Sequence, residues 1–354
     1  MHTKLTVVGA GVVGASIALR AADAGHHVTL LDPRPRSGAS WVAGGMLAPV
    51  TEAWPGEEEL LELGADSLRR WPGFAASLTE RGHDPGLRTE GTLVAAVDPA
   101  DKAEVDKVAE FLGSLGRAVH RLSGRELRSL EPAIGPSVRS GLSVPGDLAV
   151  DNRKLVDALL GVLADLGIKP RSAEATAVRP GEVECSDGSR VESDAVVIAA
   201  GAWSGALHPG LRELVRPVKG EILRLRARPG SLPPPSRTVR GLVEGRPVYL
   251  VPRDERGLVI GATQYEAGFE PGPRVSGVRD LLADAERLLP GVGDYELVEA
   301  TASVRPGTPD NLPVVRWLEP GVLAATGHGR NGMLLAPGTA DTVAELLGQE
   351  GSRQ

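Results

Sequence analysis

The sequence holds one cysteine, Cys185, so it can form no internal disulfide and offers no thiolate cluster for a metal. That residue lies in VECSDGSRV, which reads as a hairpin around an Asp-Gly turn and makes the thiol a packed one. Histidine is scarce too, and none of the seven falls at H-x-x-x-H or a comparable ligand spacing. The neighbours His26 and His27 read as covering a turn, and no metal is expected. Aromatic residues make up 3% of the chain, no basic helix with interleaved aromatics occurs, and the formal net charge is -7. Nucleic acid and anionic membrane surfaces are therefore excluded as general partners. No apolar run reaches the roughly eighteen residues of a spanning helix. What remains is small-molecule chemistry on a chain of 354 residues, long enough for two lobes with separate cores.

What the sequence does contain begins at Thr6. TVVGAGVVGASIALRAADAGHHVTLLD reads as strand, glycine turn, helix and strand, ending in Asp32. Gly9, Gly11 and Gly14 fall at the spacing G-x-G-x-x-G in that context. The first permits a tight turn, the second lets a pyrophosphate approach the backbone, and the third lets the helix pack on the strand. Asp32 can accept from a ribose hydroxyl and would repel a 2′-phosphate, which disfavours NADP. The other reading of these glycines is a βα turn that holds no ligand. Lys4 before an apolar stretch imitates a secretory signal, but the nucleotide motif occupies the same residues, so a cytoplasmic chain is expected.

Beyond Asp32 the chain is small and flexible in composition as far as Pro49, which reads as a loop able to approach a ligand. A helical pattern starts near Glu57. Gly91 to Val97 reads as a strand, Ala100 to Leu115 as a helix, and Ser123 with Glu126 as a capping box. A strongly periodic helix follows, capped by Asp151 or Asn152. Short strands are expected around Ala173 to Val178, Glu182 to Cys185 and Arg190 to Glu192, then a buried one over Ala195 to Ala200. Several strands between Pro217 and Gly261 suit a large antiparallel or mixed sheet. A helix over Val278 to Leu289, a strand over Leu297 to Val304 and a final strand and helix from Val322 to Leu347 complete the pattern, with a frayed tail from 348. A nicotinamide dehydrogenase would finish its wound sheet in consecutive units. Here the nucleotide unit breaks off and resumes at DAVVIAAGAWSG, where Gly201 ends the strand.

That interrupted α/β plan resembles the FAD-dependent amine and amino-acid oxidase superfamily, which includes D-amino-acid oxidase and sarcosine oxidase. The phrases ASWVAGGMLAP, GAWSG, PVKGEIL, VYLVPR, VRPGTPDNLPVV and GHGRNGMLLAP are similar to those of the glycine oxidases of thiamine biosynthesis. The resemblance implies a discontinuous Rossmann-like FAD-binding lobe over 1–85, 145–215 and 320–354, and a substrate lobe over 86–144 and 216–319. It implies FAD held by Gly9, Gly11, Val13, Gly14, Asp32 and Pro33, by Ser40, Gly44, Gly45 and Met46, by Ala175 and Gly201, and by His328, Gly329, Arg330, Asn331, Gly332, Met333 and Leu334. GHGRNGML would open the last helix, whose positive end favours an electron-rich flavin edge. Cys185 lies outside the phrases that carry covalent attachment, so FAD is expected to be non-covalent.

The same resemblance assigns the substrate. Arg305 would clamp an amino acid's carboxylate through two charge-assisted bonds, Tyr249 would donate a hydroxyl to the same carboxylate, and Arg330 would take a second substrate-side position, its backbone near the flavin and its carbonyl accepting from the amine. Each has a plainer alternative: Arg305 pairing with Asp310, Tyr249 filling the core, Arg330 capping carbonyls or touching another subunit. The reaction implied is hydride transfer from the α-carbon of glycine, sarcosine or a small D-amino acid to flavin, giving an imine that hydrolyses to glyoxylate and ammonia, with O2 reduced to hydrogen peroxide. No residue is required as a general base, and His328 is assigned to positioning. Gln264 stands where an apolar wall is usual, which leaves the order of substrates open. Family precedent implies a homotetramer. The rival functions are a flavin dehydrogenase feeding a quinone or carrier, and an FAD-binding module without catalysis.

Overall fold

The computed structural model describes residues 3–351. Strand Lys4–Val8 sits inside a five-stranded sheet whose order is Val314–Glu319, Val322–Thr326, Ala195–Ile198, Lys4–Val8, His27–Leu31. All neighbours are parallel except the edge strand Val314–Glu319. The interrupted unit therefore does resume: Leu5 to Val8 pair in register with Ala195 to Ile198. Alternation decides which side each residue faces. Leu5, Val7 and Val197 join the core under helices Val12–Asp23, Glu58–Glu80, Asn152–Asp165 and Gly332–Gly351. Val8, Val196 and Ile198 point the other way, onto a small sheet of Ala175–Arg179, Glu182–Cys185 and Arg190–Glu192. Cys185 is buried in that second core, in the expected hairpin.

The first turn shows why glycine is needed there. Gly9 has φ of +108°, and a methyl group on it would lie 2.3 Å from the carbonyl oxygen of Ala199 on the returning strand. A methyl group at Gly14 would lie 1.9 Å from the Gly9 carbonyl. Helix, turn and central strand are thus in contact through backbone alone, as the third glycine of the motif requires.

The other large sheet has eight strands, in the order Glu296–Gly307, Arg216–Arg226, Gly257–Gly261, Arg246–Pro252, Thr238–Val243, Thr92–Ala96, Ser140–Val144, His120–Ser123. It is mixed, with Thr238–Val243 parallel to Thr92–Ala96 and the remaining pairs antiparallel. Helix Val275–Leu288 covers its apolar face through Leu281, Ala285 and Leu288. The capping box on Ser123 and Glu126 is present.

Several details depart from the sequence reading. The expected loop before Pro49 contains a short helix, Ala39–Val42, and a two-residue strand, Met46–Leu47, paired with Leu148–Val150. Strand Val314–Glu319 was not foreseen; it lies on the five-stranded sheet, ahead of the boundary expected at 320. Asp151, not Asn152, caps its helix, accepting from the N–H groups of Arg153 and Lys154. The last helix continues to Gly351, into the stretch expected to fray; residues 352–354 of that expectation lie outside the described residues.

Helix Glu58–Glu80 is fixed to the last helix by Trp71, which is fully buried. Its indole N–H donates to the Leu334 carbonyl at 2.9 Å, Ser67 Oγ donates to the same oxygen at 2.7 Å, and Phe74 packs edge-on at 5.4 Å between ring centroids. Replacing a buried tryptophan with alanine costs about 3–5 kcal/mol. Trp71→Ala is expected to lower the urea midpoint by that amount of stability, read by tryptophan-independent far-UV circular dichroism.

Candidate active site

One cavity of about 850 Å³ runs between the two large sheets. That volume suits a small-molecule or cofactor site. One end is built by the first turn and Asp32, whose Oδ2 accepts from the Ala10 N–H and Oδ1 from the Arg34 N–H, both at 2.8 Å. These bonds hold the carboxylate on the cavity wall, and its oxygens retain acceptor capacity for a ribose. Ser40 lies across the start of the first helix and accepts from the Val12 N–H at 3.0 Å.

Further along, Gly44, Gly45 and Met46 line the wall. Gly44 and Gly45 are buried, and their N–H groups have no hydrogen-bond acceptor among the described residues. Buried amides without partners are rare, so two in succession on a cavity wall fit an electron-rich ring edge. Gly45 has φ of +77°, and a methyl group there would lie 2.1 Å from the Val150 carbonyl, so only glycine fits. The last helix begins opposite, with Gly329, Arg330, Gly332 and Met333 on the wall and its first N–H groups without helical acceptors. These features fit FAD, which Asp32, Gly11 and Gly44 to Met46 would hold.

Most of the expected cofactor residues line this cavity, including Gly9, Gly11, Val13, Asp32, Pro33, Ser40, Ala175, Gly201 and His328. Gly14, Asn331 and Leu334 do not. Gly14 is spent on helix packing, and the Leu334 carbonyl is occupied by Trp71 and Ser67. Asn331 is buried beside the turn its own N–H closes onto the His328 carbonyl. His328 pairs with Thr339 Oγ1 at 2.9 Å, and burial pushes its imidazole down to about 4, so the ring is neutral at physiological pH. It acts as a fixed polar packing residue.

The substrate end carries three arginines, Arg240, Arg305 and Arg330. Arg330 lines the cavity, and its guanidinium donates to the Glu52 carbonyl at 3.1 Å and pairs with Glu57, so the side chain takes the carbonyl-capping alternative while the backbone stays on the wall. Arg240 pairs with Glu52 at 3.0 Å. Arg305 has no carboxylate within 4 Å among the described residues and makes one long contact, 3.4 Å, to the Thr263 carbonyl. Asp310 instead accepts from the Leu312 N–H. The Arg305 guanidinium lies across Gly220, where a methyl group would come within 2.1 Å of Nη1. Tyr249 is similarly seated between Gly44 and Gly261, each too close to its ring for a side chain. Burial pushes the phenol above its ordinary range, opposed by Arg305, so its hydroxyl stays a donor at neutral pH.

Arg240 and Glu52 were not foreseen as site residues. The available signal was strand pairing, since Arg240 is directly opposite Tyr249 and shares its face. The carboxylates Glu52 and Glu57 belong to segment 48–57, which crosses the cavity. Its Thr51 donates through Oγ1 to the fully buried Asp147 at 2.7 Å. Among the described residues no group of acids, histidines or cysteines could hold a metal, and no helix is long and apolar enough to cross a membrane.

A wound sheet interrupted by a large mixed sheet, with a guanidinium lacking a carboxylate at one end of the shared cavity, defines a two-lobed α/β protein with a dinucleotide-type site. The family described as FAD dependent oxidoreductase (DAO) matches residues 4–346, and this chain belongs to it. The chain is 31% identical to the bifunctional protein ThiO/ThiG of Nostoc sp. (strain PCC 7120) over 99% of its length, and it spans about half of that relative (54%). It is 34% identical to a putative thiamine biosynthesis oxidoreductase ThiO of Rhizobium etli, covering 97% of this chain and 96% of that one. The crystal structure of glycine oxidase from Geobacillus kaustophilus superimposes with a TM-score of 0.89 at 31% identity, over 98% of this chain and 95% of the other.

Asp147 yields a test of the segment's anchorage. Burial raises its carboxyl from 3.8 to about 7, against the lowering effects of Thr51 and Arg240. The proton is retained in the folded state, so its stabilisation is complete below pH 3.8 and is lost as pH rises through about 7. Asp147→Asn keeps an acceptor for Thr51 and has no charge to bury. The variant is expected to match the parent near pH 4 and exceed it by on the order of 2–4 kcal/mol at pH 8, from urea unfolding across that range.

Proposed function

We propose that the chain is a glycine oxidase: it converts glycine, water and O2 to glyoxylate, ammonia and hydrogen peroxide, and takes sarcosine and small D-amino acids less selectively. The observation that carries this reading is the contrast among the three arginines. Two are neutralised by Glu52 and Glu57, while Arg305 faces the cavity without a carboxylate. A substrate carboxylate completes that site with two parallel charge-assisted bonds, and the Tyr249 hydroxyl adds a third donor. When bound, FAD would supply the two-electron acceptor chemistry, with O2 as the final oxidant. The protein's share is orientation and exclusion of water. No side chain is assigned as general base, since the neutral His328 is tied to Thr339.

Similarity to glycine oxidase and to the thiamine-pathway relative supports glycine as substrate and thiazole synthesis as destination. Discrimination stays shallow. A methylene in a wall formed by Ile222, Pro247 and Gln264 is worth about 1–3 kcal/mol, so close analogues compete. A cytoplasmic homo-oligomer built from an FAD lobe and a substrate lobe, with O2 as acceptor, belongs to the same proposal.

The purified chain should be yellow, bleach with glycine in the absence of air and release peroxide in its presence. Bleaching without peroxide would instead make it a dehydrogenase, and a flavin indifferent to every small amino acid would remove the catalytic reading. Arg305→Ala should retain FAD and lose kcat/KM by roughly 10- to 150-fold, mainly through KM, the equivalent of one charged hydrogen-bonded contact. Gly220→Ala should raise KM in the same direction with the fold intact, because the three atoms nearest to an added methyl group all belong to the mobile guanidinium end of Arg305.

A further inference from the structure

Behind the Gly44 to Met46 wall, outside the cavity, lies a buried polar cluster that neither the substrate nor the nucleotide reaches. At its centre is Asn152, with no solvent exposure. Its amide Nδ2 donates to the carbonyls of Ser40 at 2.9 Å and Trp41 at 2.8 Å. Its Oδ1 accepts from Arg224 at 2.9 Å and Arg253 at 3.2 Å, both from the eight-stranded-sheet side. Arg253 is 7% exposed, and its Nη2 also donates to the Gly44 carbonyl at 2.6 Å. The nearest carboxylate, Asp151, is 4.0 Å from its Nε, and that Nε has no hydrogen-bond partner. Arg224 Nε likewise has no hydrogen-bond partner, with the Glu299 carboxylate 3.9 Å away. Two guanidiniums are therefore buried with incomplete pairing, an arrangement that is costly unless something else uses the charge.

The Gly44 carbonyl shares its peptide group with the Gly45 N–H. A cation donating to the oxygen draws electrons from the amide and makes that N–H a stronger donor, and a low-dielectric interior amplifies the effect. The Gly45 N–H is the buried, partnerless amide on the cavity wall. The charge thus lies one peptide group behind the point where the ring is read to rest.

We propose that Arg253 is a positioning residue of the flavin site: held by Asn152, it fixes and polarises the Gly44–Gly45 peptide so that the Gly45 N–H and the charge behind it favour reduced, electron-rich flavin. This deepens the reading proposed above and rests on the ring lying against Gly44 to Met46. Arg253 touches neither substrate nor cavity, so its effect is on the flavin's equilibrium and not on the grip on the amino acid.

The test uses FAD-loaded wild type, Arg253→Met and Arg253→Lys, each equilibrated with a reference dye under anaerobic reducing conditions and titrated separately with glycine. Arg253→Met is expected to shift the two-electron reduction equilibrium at least tenfold toward oxidised flavin, about 30 mV. Its apparent dissociation constant for glycine should change less than threefold. Arg253→Lys, which keeps the charge and one donor, should recover at least half of the shift. An equilibrium within twofold of wild type in the methionine variant overturns the proposal. Loss of FAD from both variants overturns it as well, since Arg253 would then serve cofactor retention alone. The outcome for the parent reading is separate: a wild type that bleaches with glycine beside an unshifted Arg253→Met defeats this inference only, and a wild type that ignores glycine defeats the oxidase reading while leaving the dye equilibrium readable.

Discussion

The carbonyl oxygens of Gly9 and Ala199 occupy the space that side chains at positions 14 and 9 would need, and the arrangement of the whole molecule follows from that contact. It lets the first helix press on its own turn and the turn press on a strand contributed much later in the chain. The floor of the cavity is consequently backbone, narrow and rigid, with the positive end of a helix above it. Everything inserted between Leu31 and Ala195 has to leave that junction and return to it. The inserted elements supply three strands of the eight-stranded sheet, Thr92–Ala96, His120–Ser123 and Ser140–Val144, the other five come from after Pro209, and the cavity is the gap between the two sheets.

Electrostatic economy at the other end follows a different rule. Three free guanidiniums in one cavity would attract polyanions, and two of the three are matched by acids from segment 48–57, which leaves a single uncompensated cation, Arg305. The matching acids sit on an irregular segment and the arginines on regular elements or the start of a helix. Rigid cations and a replaceable acidic strap are what a site needs when selectivity is tuned without disturbing the sheet.

Much of this was legible in the residues. The glycine spacing with Asp32 places the nucleotide end, and the buried apolar run over Ala195 to Ile198 announces the returning strand, because both are local patterns with a steric or hydrophobic cause. Arg305 and Tyr249 were reachable only through phrase resemblance, since their seats are carved by Gly220, Gly44 and Gly261, distant in sequence and silent until the strands pair. Arg330 illustrates the limit. Its motif puts its backbone on the cavity wall, but the partner of its side chain, Glu57, lies at the far end of an irregular segment, and nothing local records that pairing. Asn152 misled in the opposite direction: a residue typical of helix caps was free to serve as a hub because Asp151 already performs the capping.

The discontinuous lobe also has a consequence in time. At about 5–20 residues per second, a ribosome makes Lys4–Val8 roughly 10–40 s before its central neighbour Ala195–Ile198 emerges. Until then one long side of the nascent strand is bare, and the helix that covers the flavin end, Gly332–Gly351, comes later still. Cofactor capture therefore belongs to the end of synthesis, and shielding of that open edge by the early helices or by chaperones becomes part of how the cell obtains a folded protein.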